Sequence, residues 1–384
     1  MARNSIVQSR NKSKSKNVGR QGWFFKGQYF DYPLLFIILF LVCFGLVMIY
    51  SSSSYQSSLN NGDSTYVLKR QLVWLGISIP LMFFVSFVHY KVYRYFTKTL
   101  YWLAILLQLW VIIQEQSSHG AKRWIVIGGF QFQPSEVSKV VIILFLAHMI
   151  TTRIKVLKKR KEIARIALFI LPLFILIAKE NLSTGIIILG ITFVMLFVAS
   201  KEVKLFIMVI AVFIGLAVLV LLSASYRVER VQIWLDPENH TKGHQTMQAL
   251  YAIGSGGIFG KGIGQSMQKM GFIPESHNDM IFSVICEELG IFGAGCIIIM
   301  FMMLLYRIAE IARRAPDLYS GLICTGIMTQ VGTQIFINIG VVTNTIPPTG
   351  IPLPFISYGG TSVLVLLVEM GMVLGVSRHI KVRR

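Results

Sequence analysis

Apolar runs about as long as a bilayer-spanning helix recur along this chain between short charged or Gly/Pro-rich breaks, and nothing else constrains its fold as much. In hydrocarbon every backbone N–H and C=O must be paired internally, so only helices or a closed barrel can cross. Strand-length alternation is absent, which makes the chain an all-α polytopic membrane protein of about ten transmembrane helices. The expected spans lie near 33–51, 71–89, 99–115, 134–152, 165–179, 183–200, 203–224, 280–306, 319–343 and 361–377. With 54% hydrophobic and 14% charged residues, most of the surface must meet lipid or another helix.

The formal net charge of +20 would suggest nucleic acid in a soluble protein. Here Lys and Arg crowd alternate loops, including Lys155, Lys158, Lys159, Arg160 and Lys161 and the tail from Arg378 to Arg384. That is the bias of cytoplasmic loops, so topology explains the charge and no nucleic-acid partner is expected. It places both termini in the cytoplasm: residues 1–32 as a basic, disordered tail, 33–377 as the membrane domain, and 378–384 as a second basic tail. Both tails are suited to lie against anionic lipid. Cys43, Cys286, Cys296 and Cys324 all lie in apolar spans with no CxxC spacing, which argues against a disulfide framework or a zinc site.

Three segments on the outward side hold the unusual residues: the 116–133 loop, the long loop 225–279 and the Pro/Gly-rich stretch 344–360. Outward loops on a rigid bundle are where function is expected. Span four opens Gln133-Pro134-Ser135-Glu136-Val137-Ser138-Lys139, setting Glu136 and Lys139 one turn apart inside the membrane. Glu136 could cap the helix dipole with Lys139 neutralising it, but intramembrane charge is costly and tends to be functional, which favours a solvated pocket.

The long loop ends Glu275-Ser276-His277-Asn278-Asp279 at the mouth of span eight. Asp279 reads equally as a general base or as the acid of a Ser-x-x-Asp capping box begun by Ser276. Glu287 and Glu288, deeper in the same helix, must face the bundle and are expected to pair or orient. Lys122, Arg123, Lys139, Arg227, Arg230, Lys261 and Lys269 fall in or beside these loops, where an anionic diphosphate would find donors. Arg123 and Trp124 could line such a pocket or simply anchor at the membrane interface. The glycines from Gly254 to Gly264 lack the context of a phosphate-binding loop and are expected to make tight turns.

Taken together, Ala121-Lys122-Arg123-Trp124-Ile125, Gln133-Pro134-Ser135-Glu136, Ala252-Ile253-Gly254-Ser255-Gly256-Gly257, Pro274-Glu275 to Asp279 with Glu287-Glu288-Leu289-Gly290, and Pro347-Pro348-Thr349-Gly350 through Ser357-Tyr358-Gly359-Gly360 resemble the SEDS family (shape, elongation, division and sporulation) in order along the chain. Gly262 to Lys269 and the Pro347-Pro348-Thr349-Gly350 turn look more like its FtsW and SpoVE branch than RodA. The resemblance implies a ten-helix bundle that polymerises lipid II into glycan strands at the outer membrane face. The implied partners are a class B penicillin-binding protein and other division-site membrane proteins, which points to the septum.

Carried over by position, the implied catalytic residues are Asp279, the essential acid, and Glu136, in the cavity beneath it. Arg123, Trp124, Lys139, Glu275, His277, Lys269 and Ser357 are the implied substrate contacts. The chain has His277-Asn278-Asp279 where the family commonly has His-Thr-Asp, and Lys179-Glu180-Asn181-Leu182-Ser183-Thr184 where it has Lys-Pro-Asp-x-Gly-Thr. The acid survives, while the second loop has no borrowed role. Carboxylate spacing defines no closed metal cage, so no cofactor is assigned and a divalent cation at the diphosphate is left open. Two other functions share some of these features. A lipid II flippase would use Glu136, Lys139, Glu287, Glu288 and the Pro-broken 344–360 segment, although no internal repeat is visible. A non-catalytic division scaffold would leave the outward acids unexplained.

Overall fold

The computed structural model describes residues 29–113, 125–127, 130–153, 160–200, 211, 214–215, 225–240 and 243–380. The elements in order are α1 (Tyr32–Asn61), α2 (Tyr66–Phe87), α3 (Lys91–Ile113), β1 (Ile125–Ile127), β2 (Phe130–Phe132), α4 (Pro134–Arg153), α5 (Arg160–Glu180), α6 (Leu182–Ala199), α7 (Ser225–Leu235), α8 (His244–Ser255), α9 (Ile281–Arg313), α10 (Leu318–Val342) and α11 (Gly360–Ser377). Among the described residues, eight of these helices are long and apolar enough to cross a membrane, and each overlaps an expected span. Helix α5 covers the fifth. The expected seventh span, apart from residues 211 and 214–215, lies outside the described residues, as do most of both basic tails. This is a multi-spanning helical membrane protein.

Helix starts follow local chemistry. Asp31 caps α1 by accepting from the Leu34 N–H at 2.9 Å, and Pro33 follows at a position where no N–H is needed. Asp317 caps α10 through the Ser320 N–H at 2.9 Å, and Asn181 alone separates α5 from α6, accepting from Thr184 N–H. Among the described residues one small ribbon departs from the helical pattern: β1 and β2 pair antiparallel, Ile125 opposite Phe132, where β-branched residues on one strand and phenylalanines on the other favour the pleated form.

Helix α11 is almost wholly buried at the centre of the bundle, whereas α2 and α3 are largely open to lipid. Helix α11 packs closely on α2. A Cβ at Gly371 would come 2.4 Å from the Met82 carbonyl oxygen, so only glycine lets the two backbones meet there.

Helix α9 is broken within the bundle at Gly290, whose φ of 67° and ψ of −171° interrupt the ladder. The loop after α8 fills the break: Lys261 and Gly262 N–H groups donate to the Glu287 and Glu288 carbonyls at 3.0 and 2.9 Å. In return, Ile291 and Phe292 N–H groups reach the Gly257 and Ile258 carbonyls at 3.0 Å. An unpaired backbone group at this depth would cost several kcal/mol, so the break and the loop that repairs it form one unit.

Candidate active site

The segment before α9 is clasped to the Pro/Gly-rich stretch 344–359 by backbone contacts. Asn338, on α10, donates to both the Asp279 carbonyl at 2.7 Å and the Ile351 carbonyl at 2.9 Å. The Ser357 hydroxyl donates to the Asn278 carbonyl at 2.7 Å and accepts from Leu353 N–H at 2.8 Å. The Tyr358 N–H reaches the His277 carbonyl at 3.0 Å, and the two rings meet edge to face at 5.5 Å. Ser357 is thus placed as a clip on the segment that carries Asp279. Backbone strain gathers in the same place, with Glu275, Asn344 and Phe355 all at positive φ, a conformation that non-glycine residues hold only when their surroundings enforce it.

Helix α7 lies over this platform. Arg230 donates to the Pro348 carbonyl at 3.3 Å, and the Trp234 indole N–H to the Asn344 carbonyl at 3.0 Å. Asp279 Oδ2 lies against Gly350, 3.9 Å from where a Cβ would stand, so carboxylate and guanidinium flank one three-residue stretch. The capping-box alternative is not what forms. Ser276 donates instead to the Ser52 carbonyl at 2.9 Å, and Met280, with no side-chain cap, precedes α9.

Burial pushes the Asp279 carboxyl up to about 6, reinforced by the charge of nearby Glu275 and opposed by its own backbone N–H and by Arg230. Among the described residues, no side chain donates a hydrogen bond to it. His277 is pushed down by burial against the pull of Glu275, which leaves its ring neutral at neutral pH. Glu275 is exposed and accepts from the Asn278 amide at 2.7 Å.

The two glutamates further along α9 are committed elsewhere. Glu287 accepts from Lys261 Nζ at 2.7 Å, from the Ser266 and Ser255 hydroxyls, and from the Met267 and Gln268 N–H groups. Glu288 accepts from Lys269 Nζ at 2.8 Å and Ser51 at 2.7 Å. Lys269, expected as a substrate contact, is buried in this internal pair. The two acids therefore fold the long loop onto the helix.

Glu136 and Lys139 form a second buried pair on α4, Nζ to Oε1 at 2.9 Å, with Ser362 of α11 donating to Glu136 at 3.2 Å. Sequence reasoning passed over Glu369, two turns along α11 from Ser362 and fully buried, which accepts from Gln330 at 2.9 Å. An acid within an apolar span was the available signal. Among the described residues no hydrogen bond or ion pair joins this interior cluster to Asp279. Arg123 and Trp124 lie outside the described residues. Arg230 was among the basic residues expected beside a diphosphate, whereas Asn338 and Trp234 complete the site without having been singled out, because both act through backbone carbonyls that no side-chain motif reveals.

A family model described as cell cycle protein, covering FtsW, RodA and SpoVE, matches residues 32–382. Stage V sporulation protein E of Bacillus subtilis is 38% identical over 359 residues, covering 91% of this chain and 97% of that protein. A probable peptidoglycan glycosyltransferase FtsW of Geobacter metallireducens is 34% identical, covering 92% and 96%. Among solved structures, a chain of a peptidoglycan synthase complex that coordinates polymerization and crosslinking superposes with a TM-score of 0.75 at 29% identity, covering 91% of this chain and 98% of that one. The rod shape determining protein RodA of Thermus thermophilus superposes with a TM-score of 0.66 at 28% identity, covering 91% and 97%.

Proposed function

The chain belongs to the FtsW, RodA and SpoVE family of cell cycle proteins, and from that premise we propose that Asp279 is the general base of its glycan polymerisation. The protein is a peptidoglycan glycosyltransferase. Its substrate is lipid II, a disaccharide-peptide on a polyprenyl diphosphate. In the step assigned to this site, the acceptor sugar hydroxyl forms a bond to the anomeric carbon of the donor. The bond from that carbon to the phosphate oxygen breaks, and the diphosphate leaves with the electron pair. The hydroxyl proton passes to Asp279, and Arg230 faces the charge that develops on the leaving group.

One observation supports this assignment above the rest. Asp279 is a fixed, partly buried carboxyl at the loop-rich end of the bundle, held through its backbone and left without a side-chain donor among the described residues. A base needs that free lone pair. Glu136 serves a different role in this reading, since Lys139 and Ser362 hold it and it positions α4 against α11. The flippase alternative loses two of its motivating acids, because Glu287 and Glu288 are engaged in folding the outer loop.

The basic loops favour cytoplasmic termini, with Asp279 at the outer face. A class B penicillin-binding protein at the division septum is the proposed partner. The test is polymerisation of lipid II by the purified chain with that partner and no other polymerase present. Asp279→Asn should abolish product while the protein stays folded and partner-bound, and an unchanged rate would remove Asp279 from the chemistry.

A further inference from the structure

Helix α10 carries Gln330, Gln334 and Asn338 one turn apart along one side, all of them fully buried. Their amides are only half used. Gln330 donates to Glu369 of α11 at 2.9 Å, and Asn338 donates to the Asp279 and Ile351 carbonyls. The side-chain oxygens of all three accept nothing among the described residues. On α11 the Thr361 hydroxyl and the Glu369 Oε1 atom are in the same state, buried and without a partner among the described residues. Buried polar atoms are nearly always hydrogen-bonded, so a run of unpartnered ones along a single seam points to a bound group that completes them.

Helix geometry strings these atoms into a line. Gln330, Gln334 and Asn338 stand about 6 Å apart in depth, roughly twice the length of a hydrogen bond and so the gap that one water closes. The line begins at Asn338, which holds the Asp279 carbonyl, and ends at Glu369. Helix α4 packs on both α10 and α11 and closes the third side. Ser362, two turns from Glu369 on α11, donates to Glu136, and both Glu136 oxygens lie on Lys139 Nζ, at 2.9 and 3.0 Å. The seam therefore holds two carboxyls and one lysine, and that lysine is already engaged by Glu136. Carboxylate and amide oxygens can only accept, so the group that completes them must donate. A metal cation would meet the charge of Lys139, whereas a water brings two donors and no charge. We propose that the seam between α4, α10 and α11 holds a file of bound water running from the Asp279 segment to Glu369, and that Glu369 is a proton-exchange site opening through it to the face that carries Asp279. An acid at this depth is costly in hydrocarbon, and the file gives it both solvation and a proton path. Asp279 and Glu369, which share no direct bond, are thereby joined through one hydrogen-bonded line.

Silver ions, small enough to follow a water path, test it in the full chain in sealed membrane vesicles, with no turnover needed. Ag+ displaces the proton of a thiol and blocks its later alkylation by N-ethylmaleimide in denaturant. Mass spectrometry reads that block site by site, apart from the four native cysteines. Glu275→Cys, exposed near Asp279, marks the side to which Ag+ is added. From that side Ag+ should block Gln334→Cys and Glu369→Cys. It should leave Leu367→Cys, equally buried on α11 but two residues around the helix, open to alkylation. Adding Gln334→Leu to Glu369→Cys should restore alkylation, since the amide midway along the file is gone and its space is filled. Where Glu369→Cys does not accumulate, Gln330→Cys reads the same depth. Equal blocking of Leu367→Cys, blocking of Glu369→Cys from the opposite side only, or blocking that stops at Gln334→Cys overturns the proposal.

Discussion

Asp279, Glu287 and Glu288 stand close together along one stretch of chain, yet their surroundings are opposite. Glu287 and Glu288 each accept from a lysine and from hydroxyls, with their side chains fully buried. Asp279 is held as firmly, but through its carbonyl and its neighbours' carbonyls, and its carboxylate is left to burial, a like charge and one guanidinium. Saturating an acid makes it structural. Fixing an acid by its backbone while leaving its oxygens unbonded keeps it able to take a proton. The difference lets one helix entrance both fold a loop and present the proposed base.

The comparison breaks most sharply at Asp279→Asn, which keeps shape and removes basicity. Lipid II polymerisation should drop by roughly 10²–10⁴-fold, the usual worth of a general base. The thermal unfolding midpoint in detergent should stay within a degree or two of wild type, because the clasp uses the backbone. A large fall in midpoint would class Asp279 with its neighbours as a structural acid.

Lys269→Met should do the reverse. It strands the Glu288 carboxylate in a buried site, a loss on the order of 3–5 kcal/mol, read as a fall in the unfolding midpoint and faster proteolysis of the 256–279 loop. Adding Glu288→Gln should restore most of that stability, since the uncompensated charge is gone. If Lys269→Met left stability unchanged and raised KM alone, Lys269 would be a substrate contact despite its ion pair.

Much of this was legible in the sequence, for reasons particular residues make plain. Span lengths and the alternation of basic loops depend only on hydropathy and charge, so the expected helices fall where α1 to α6 and α9 to α11 lie, α1 running on through Ser51 to Asn61. The expected first span stops at 51 because the apolar run ends at the serines, although Ser51 is needed by Glu288 and the Ser52 carbonyl by Ser276. The acids were visible as charges in costly places, but their division of labour was not. Whether Ser276 caps a helix or reaches Ser52 is decided by a contact across 224 positions. The donors around Asp279 act on main-chain oxygens, and the break at Gly290 depends on a loop thirty or so residues earlier, so neither leaves a local pattern.

The smallest effects concern the field around Asp279. Its carboxyl is raised to about 6, so the base form is lost as pH falls through that value. In wild type kcat/KM should therefore level off above about pH 6 and fall roughly tenfold per unit below it. Arg230→Gln removes the charge that favours the ionised carboxylate and should move the inflection upward, alongside a loss in rate from its proposed contact with the leaving group. Glu275→Gln removes the charge that disfavours it and should move the inflection downward by a few tenths of a unit, since Glu275 is exposed and water weakens its field. Raising salt to about 1 M should shrink the wild-type difference from Glu275→Gln, because the screening length then falls to about 3 Å. Shifts of opposite sign in these two variants would tie the inflection to Asp279; an inflection that neither variant moves would assign the titration to another group and leave the acid at the mouth of α9 as one more support.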